Sequence, residues 1–175
     1  MAADTITSRA PDARFLVSHP AHFIALGFGA GLAPRAPGTF GTLVGWGIYL
    51  ALAPFLAPLV IAFLAVPLFF LGIWACGKTG RDLGVADHGA MVWDEIVAFL
   101  PLAALCFASF WMQLVAFGLF RLFDIWKPFP IRRFERELKG GLGVMFDDLI
   151  ASCYAYAVII VLTIGGYKLL GAMAR

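Results

Sequence analysis

The stretch IVAFLPLAALCFASFWMQLVAFGLF, Ile96–Phe120, contains no charged residue, and how it folds decides the architecture. Asp94 and Glu95 stand directly before it, Arg121 and Asp124 directly after it. A membrane-spanning helix takes ~20 residues, so a single crossing here would put the two charged borders on opposite faces. Basic residues favour the cytoplasmic side. Lys78 and Arg81 lie in the island before the stretch, with Arg121, Lys127, Arg132, Arg133, Arg136 and Lys139 in the island after it. Both islands therefore claim the same side. A hairpin resolves the conflict: one helix from about Val92 to Phe107, a turn near Ala108–Ser109, and a return helix to about Phe123. Each arm is short, ~22 Å at 1.5 Å per residue, and either enters the bilayer only partly or carries its charged ends out into water.

Two more charge-free windows flank this one, Ala36–Gly77 and Leu149–Tyr167. The first is long enough for two helices. Pro54 and Pro58 break it, which predicts helices near 40–53 and 58–77, with Pro67 as a kink in the second. The last window predicts one helix from about Asp148 to Leu170. The result is an all-α, multi-span membrane bundle of about five helical segments, its polar helix ends and loops forming a site at the cytoplasmic face. One domain, 1–175, is expected, with 1–22 a loosely ordered cytoplasmic segment.

Composition agrees. The chain of 175 residues is 62% hydrophobic and 14% charged, with 17 Phe and 5 Trp, and its mean hydropathy is +0.89. Soluble domains carry about 25% charged residues. A net charge of +2, without a basic run interleaved with aromatics, excludes a nucleic-acid groove. Cys76, Cys106 and Cys153 all lie in apolar stretches and are expected to be small buried side chains rather than a disulfide framework. The first twenty residues mix Asp4, Arg9, Asp12 and Arg14 and do not resemble a secretion signal.

Three polar islands carry the chemistry. The first runs from Gly27 to Thr42. Its glycines and prolines, with Pro37, Gly38, Thr39, Gly41 and Thr42 opening a helix, suit a tight loop with accessible N–H groups and a threonine cap, which is a ready anion site. An interfacial loop with an ordinary cap would look the same. The second island ends in Asp94-Glu95 at a helix mouth. Acids gain there from the helix dipole, but two adjacent acids at a membrane border are costly to dehydrate without a cation. His88 is a proton carrier, a phosphate contact or an ordinary loop histidine. In the third island Arg121, Asp124 and Lys127 are spaced by three, which places them on one helix face, as an ion-pair ladder or as part of a site. Lys127-Pro128 ends that helix, and Arg132–Lys139 reads as a basic helix resting on anionic headgroups. Gly140-Gly141 is a flexible turn, and Asp147-Asp148 is a second acid pair at a helix mouth.

Asp94, Glu95, Asp124, Asp147 and Asp148 thus make an oxygen-rich set that suits magnesium, with Arg121 and Lys127 flanking it for a phosphate dianion. That is a metal-assisted phosphate site facing the headgroup layer. The literal nucleotide-loop pattern at Gly72–Thr79 is discounted, because it continues an apolar helix without the strand and turn that the motif needs. Gly41-x-x-x-Gly45 reads as close helix packing. Zinc-type Cys and His spacing is absent.

On these residues the chain resembles the phosphatidylglycerophosphatase A family. The matching elements are Gly31-Leu32-Ala33-Pro34 through Pro37–Thr42; Asp87-His88-Gly89 through Val92–Glu95; Phe120–Pro130; and Gly140–Asp148. Ala98 and Ser152 stand where the family often has glycine. The resemblance implies a magnesium-dependent, all-helical phosphatase, multi-pass in the bacterial inner membrane with its site facing the cytoplasm. It would release phosphate from phosphatidylglycerophosphate in phospholipid biosynthesis. The only partner this implies is the lipid substrate; no nucleotide, nucleic acid or protein partner is inferred. The competing functions are another magnesium-dependent membrane lipid phosphotransferase, whose D-G-x-x-A-R signature is absent, and a small cation transporter, which would carry its acids deep in the spans.

Overall fold

Prolines and glycines set the limits of the helices. The computed structural model describes residues 10–106 and 109–173, with side chains described except at 135–136 and 167–173. Two short helices, α1 (Ala13–Ser18) and α2 (Pro20–Ala25), precede a 3-10 segment, Gly27–Leu32, and then α3 (Pro37–Leu52). There follow α4 (Pro58–Leu83), α5 (Trp93–Leu105), α6 (Phe110–Trp126), α7 (Ile131–Glu137) and α8 (Gly140–Met173). No strand occurs among the described residues, so the fold is all-α. Pro37 and Pro58 sit in first turns, where the missing N–H has no helical partner to lose. Gly84, at φ 70°, closes α4 by donating its N–H to the Arg81 and Gly80 carbonyls. Lys127 closes α6 immediately before Pro128.

The central helix is α5. It packs against α3, α4, α6 and α8, and every residue from Trp93 to Leu100 is buried. Glycines let the neighbours close in. A Cβ at Gly41 would lie 2.9 Å from the Val92 carbonyl oxygen, and one at Gly45 would lie 2.8 Å from that of Ile96, so the expected small-residue seam on α3 is where α5 docks. On the other side the Ser152 hydroxyl of α8 donates to the Ala98 carbonyl at 2.9 Å. The two positions where the chain departs from glycine therefore bond to one another.

The window Ile96–Phe120 forms the expected hairpin. Arg121, just past it, lies 3.5 Å from Glu95 just before it, so α5 and α6 run antiparallel and bring both borders to one end. Phe107 and Ala108, part of the expected turn, lie outside the described residues. Further from that end, α6 is tied to α3 by the Gln113 amide. It accepts from the Trp46 indole at 2.8 Å and donates to the Tyr49 hydroxyl at 3.4 Å.

Two helices, Pro58–Leu83 and Gly140–Gly166, are long and apolar enough to cross a membrane. Their outward faces carry Phe63, Phe70 and Val161, all more than half exposed, as expected of surface turned to lipid.

Several expectations need correcting. Segment 1–22 is folded from Ala13 onward, because His22 is buried and its Nε2 lies 2.7 Å from Asp82 Oδ2 of α4. The last helix starts at Gly140 rather than near Asp148, so Asp147 and Asp148 lie two turns inside α8 and not at its mouth. Gly140-Gly141 is the start of that helix and not a flexible turn; Gly141 lets α8 close onto the α4 backbone at Ile73 and Gly77. Neither Thr39 nor Thr42 caps α3, whose N-cap is Ala36 in the left-handed region. Cys153 is exposed, unlike buried Cys76 and Cys106; an apolar surround accepts a thiol as readily as a packed core does.

Candidate functional site

The start of α5, the second and third turns of α8 and the end of α6 meet at one end of the bundle. Asp94 and Glu95 are the second and third residues of α5, where unbonded N–H groups favour negative charge. Asp148 receives no such help inside α8 and is nonetheless 3% exposed. One carboxylate oxygen from each of Asp94, Glu95 and Asp148 lies within 4.8 Å of the others. Asp94 Oδ1, Glu95 Oε2 and Asp148 Oδ2 are buried with no hydrogen-bond partner in the protein. Burying such atoms unsatisfied costs about 1–3 kcal/mol each, and more when charged.

Two cations edge the cluster. Arg121 Nη1 lies 2.8 Å from Asp124 Oδ2, 3.5 Å from Glu95 Oε1 and 3.4 Å from Thr42 Oγ1. Thr42 can accept that bond because its own proton goes to the Gly38 carbonyl at 2.9 Å. Lys127 Nζ lies 3.3 Å from Asp147 Oδ2, so a lysine of α6 pairs with an acid of α8 and the three residues are more than a ladder along one helix. All seven charged residues gather at this end. A cavity of about 100 Å³ between them is lined by Asp94, Glu95, Asp124, Lys127, Asp147 and Asp148.

Five carboxylates against two cations leave a formal excess of three negative charges in a largely buried space. Mutual repulsion and lost hydration both oppose that arrangement unless a cation enters. The donors are all oxygen, the preference of a hard divalent ion, and the cavity is polar and large enough for water or an ion. The residues present therefore fit a metal site, with Asp94, Glu95 and Asp148 as its centre.

The first island contributes less as an open N–H cradle than its composition suggests. The helix begins at Pro37, so Gly41 and Thr42 lie beyond the first turn and their amides close helical bonds. Gly38 is pressed against the Glu95 carboxylate and the Arg121 guanidinium, with no room for a Cβ; Thr39 is half-buried beside it. His88 is half-buried at the rim, its Nδ1 accepting from the Ala90 N–H at 3.1 Å. Its neighbours Asp87 and Gly89 line the cavity. Asp87 was not singled out from the sequence as a site residue. Its signal was the Asp87-His88-Gly89 turn, too short to show which side chain faces inward.

Comparison with known proteins matches residues 23–163 to the family described as phosphatidylglycerophosphatase A. A phosphatidylglycerophosphatase A of Haemophilus influenzae is 43% identical over 155 residues, spanning 88% of this chain and 95% of that protein. One of Escherichia coli is 37% identical over 147 residues, spanning 83% and 85%. A Bacteroides thetaiotaomicron protein, provisionally named a phosphatidylinositol-3-phosphatase, is 43% identical over 145 residues, spanning 79% and 90%. No solved structure matches. With a match over most of its length and relatives this similar, the chain belongs to the phosphatidylglycerophosphatase A family.

Proposed function

We propose that this protein is a magnesium-dependent phosphatidylglycerophosphate phosphatase that releases the terminal phosphomonoester as inorganic phosphate and leaves phosphatidylglycerol. The observation that carries the proposal is the meeting of Asp94, Glu95 and Asp148 beside Arg121, in a chain whose relatives are named for that activity. Asp94, Glu95 and Asp148 would hold magnesium, with Asp124 and Asp147 beside them. Bound there, the ion supplies Lewis-acid polarisation of the phosphomonoester and a water of lowered pKa.

The chain's own residues do the rest. Arg121 sets its guanidinium against Glu95 and Asp124 beside the cavity, a fixed positive charge that favours a phosphate dianion there. Thr42 and Asp124 hold the guanidinium in place, so its aim is set before substrate arrives. Lys127 offers a compact second charge to the equatorial oxygens as they share charge in the transition state. Gly38 keeps the wall over Glu95 thin. Pro37, Thr39, Gly41 and Thr42 act on the phosphate through the position of α3, and His88 through the turn that carries Asp87.

The basic residues support an inner-membrane protein, multi-pass, with this end facing the cytoplasm. Lys78 and Arg81 end α4, which meets the start of α8 at Gly77 and Gly141, so they share the acids' end with Arg121, Lys127, Arg132 and Arg133. A transporter would carry its acids along the spans, whereas here they are gathered at one end.

The test is phosphate release from phosphatidylglycerophosphate by purified protein, with magnesium and with chelator. Release that requires magnesium and disappears in Asp94→Asn is expected. No release, or full rate in Asp94→Asn, would sink the proposal.

A further inference from the structure

An apolar groove of about 470 Å³ runs along the outside of the bundle, between α4, α5 and α8. Its lining includes Ala62, Phe63 and Phe69 of α4, Val97 and Pro101 of α5, and Leu149 of α8, and no residue of the lining is polar. Its lining neighbours that of the acid cavity along α5 and α8. Val97 lies one helical turn beyond Asp94, and Leu149 directly follows Asp148. Along α4 the lining extends from Leu59 to Phe70, ~16 Å of helix at 1.5 Å per residue. One leaflet of a bilayer whose hydrocarbon is ~30 Å thick has ~15 Å of depth.

We infer that this groove seats one acyl chain of the phosphomonoester lipid whose phosphate enters the acid cavity. The inference rests on the proposed phosphatase activity and extends it from headgroup to tail. The neighbouring linings favour the substrate over an arbitrary bilayer lipid, since a chain in this groove lies beside the cavity that Lys127 lines, and that lysine suits a phosphate dianion. The groove gains little affinity, because lipid tails are as apolar as the side chains lining it. What it supplies is register. A chain held along α4 and α5 fixes the depth and direction at which the phosphate meets Asp94 and Asp148, and misplacement of ~1 Å is enough to cost ~100-fold in rate.

Filling the groove tests this. Ala62→Trp and Ala65→Trp, both on the α4 wall, are assayed in detergent micelles on dipalmitoyl and dihexanoyl phosphatidylglycerophosphate. The expected result is a fall of about tenfold in kcat/KM for the long-chain lipid, with less than about twofold change for the short-chain one, which does not reach the groove. Val161→Trp, on another outward face of α8, should change neither. Equal losses on both substrates, or no loss, overturn the inference. A second measurement needs no variant: a phosphomonoester lipid with a mid-chain diazirine should label the α4 segment around Phe63 and Phe69, and long-chain substrate should compete it away. Equal labelling by a phosphodiester lipid, or chain-to-chain cross-links through the groove, also overturns it. If wild-type protein hydrolyses neither substrate, the phosphatase proposal fails, and the labelling experiment still decides the groove.

Discussion

Helices α4 and α5 lie side by side and are both strongly apolar, yet they meet opposite surroundings. α4 has 26 residues and turns Phe63 and Phe70 outward, at 66% and 65% exposure. α5 has 13 residues, and its Phe99 is fully buried. Length explains the division. A helix of 13 residues is ~20 Å long and cannot cross ~30 Å of hydrocarbon alone, so α5 is sheltered while α4 and α8 provide the long walls. The same shelter encloses its first turn, where Asp94 and Glu95 are buried among the neighbouring helices. In this protein an apolar helix too short to span supplies two of the three acids that meet, Asp94 and Glu95, and the long α8 supplies the third, Asp148.

The contrast can be broken at several points. The largest effect should come from Asp94→Asn, which removes a charge at the head of α5: phosphate release should fall at least ~10³-fold, ~4 kcal/mol in barrier, with helical content by circular dichroism unchanged. Next, Phe99→Ala should cost ~3–5 kcal/mol of stability in detergent, while Phe63→Ala on α4 should cost ~0.5 or less; equal losses in thermal unfolding would mean that α5 is not the core. Magnesium at about 100 times its dissociation constant should stabilise wild-type protein by ~2.7 kcal/mol, seen as a raised midpoint that chelator reverses and that Asp148→Asn lacks. Smallest is the seam on α3. Gly45→Ala forces a Cβ against the Ile96 backbone and should cost ~1–3 kcal/mol. Gly47→Ala meets nothing within 4 Å and should be neutral or stabilising by up to ~1 kcal/mol.

Much of this was legible in the residues, for identifiable reasons. The charge-free window Ala36–Gly77, broken by Pro54 and Pro58, marked α3 and α4, since charge and proline both act locally. The clash between two basic borders was enough to require the hairpin, and the Arg121–Glu95 contact closes it. The acid pairs marked the site because carboxylates beside apolar runs need a reason to be there. What was hidden depends on contacts between distant residues. Gly140-Gly141 looks like a turn until α4 packs against it, and only that packing makes it the start of α8. His22 finds Asp82 sixty residues away, which no local pattern announces. The burial of α5 was hidden too, because a helix that is apolar on every side reads alike whether lipid or protein covers it.

The amide of Gln113 has a consequence of its own. It sits eight residues before Arg121 on α6, ~12 Å along the axis, and its partners Trp46 and Tyr49 sit on the same helix, α3, as Thr42, which Arg121 touches. In an oily setting, sliding or turning one smooth apolar helix against another changes the free energy little. A directional bond has only one good setting. Gln113 therefore works like the pin of a vernier, setting α6 against α3 two turns from where Arg121 meets Thr42. Gln113→Leu should leave helical content by circular dichroism unchanged yet slow phosphate release, since Arg121 keeps Asp124 but loses its fixed setting against Thr42.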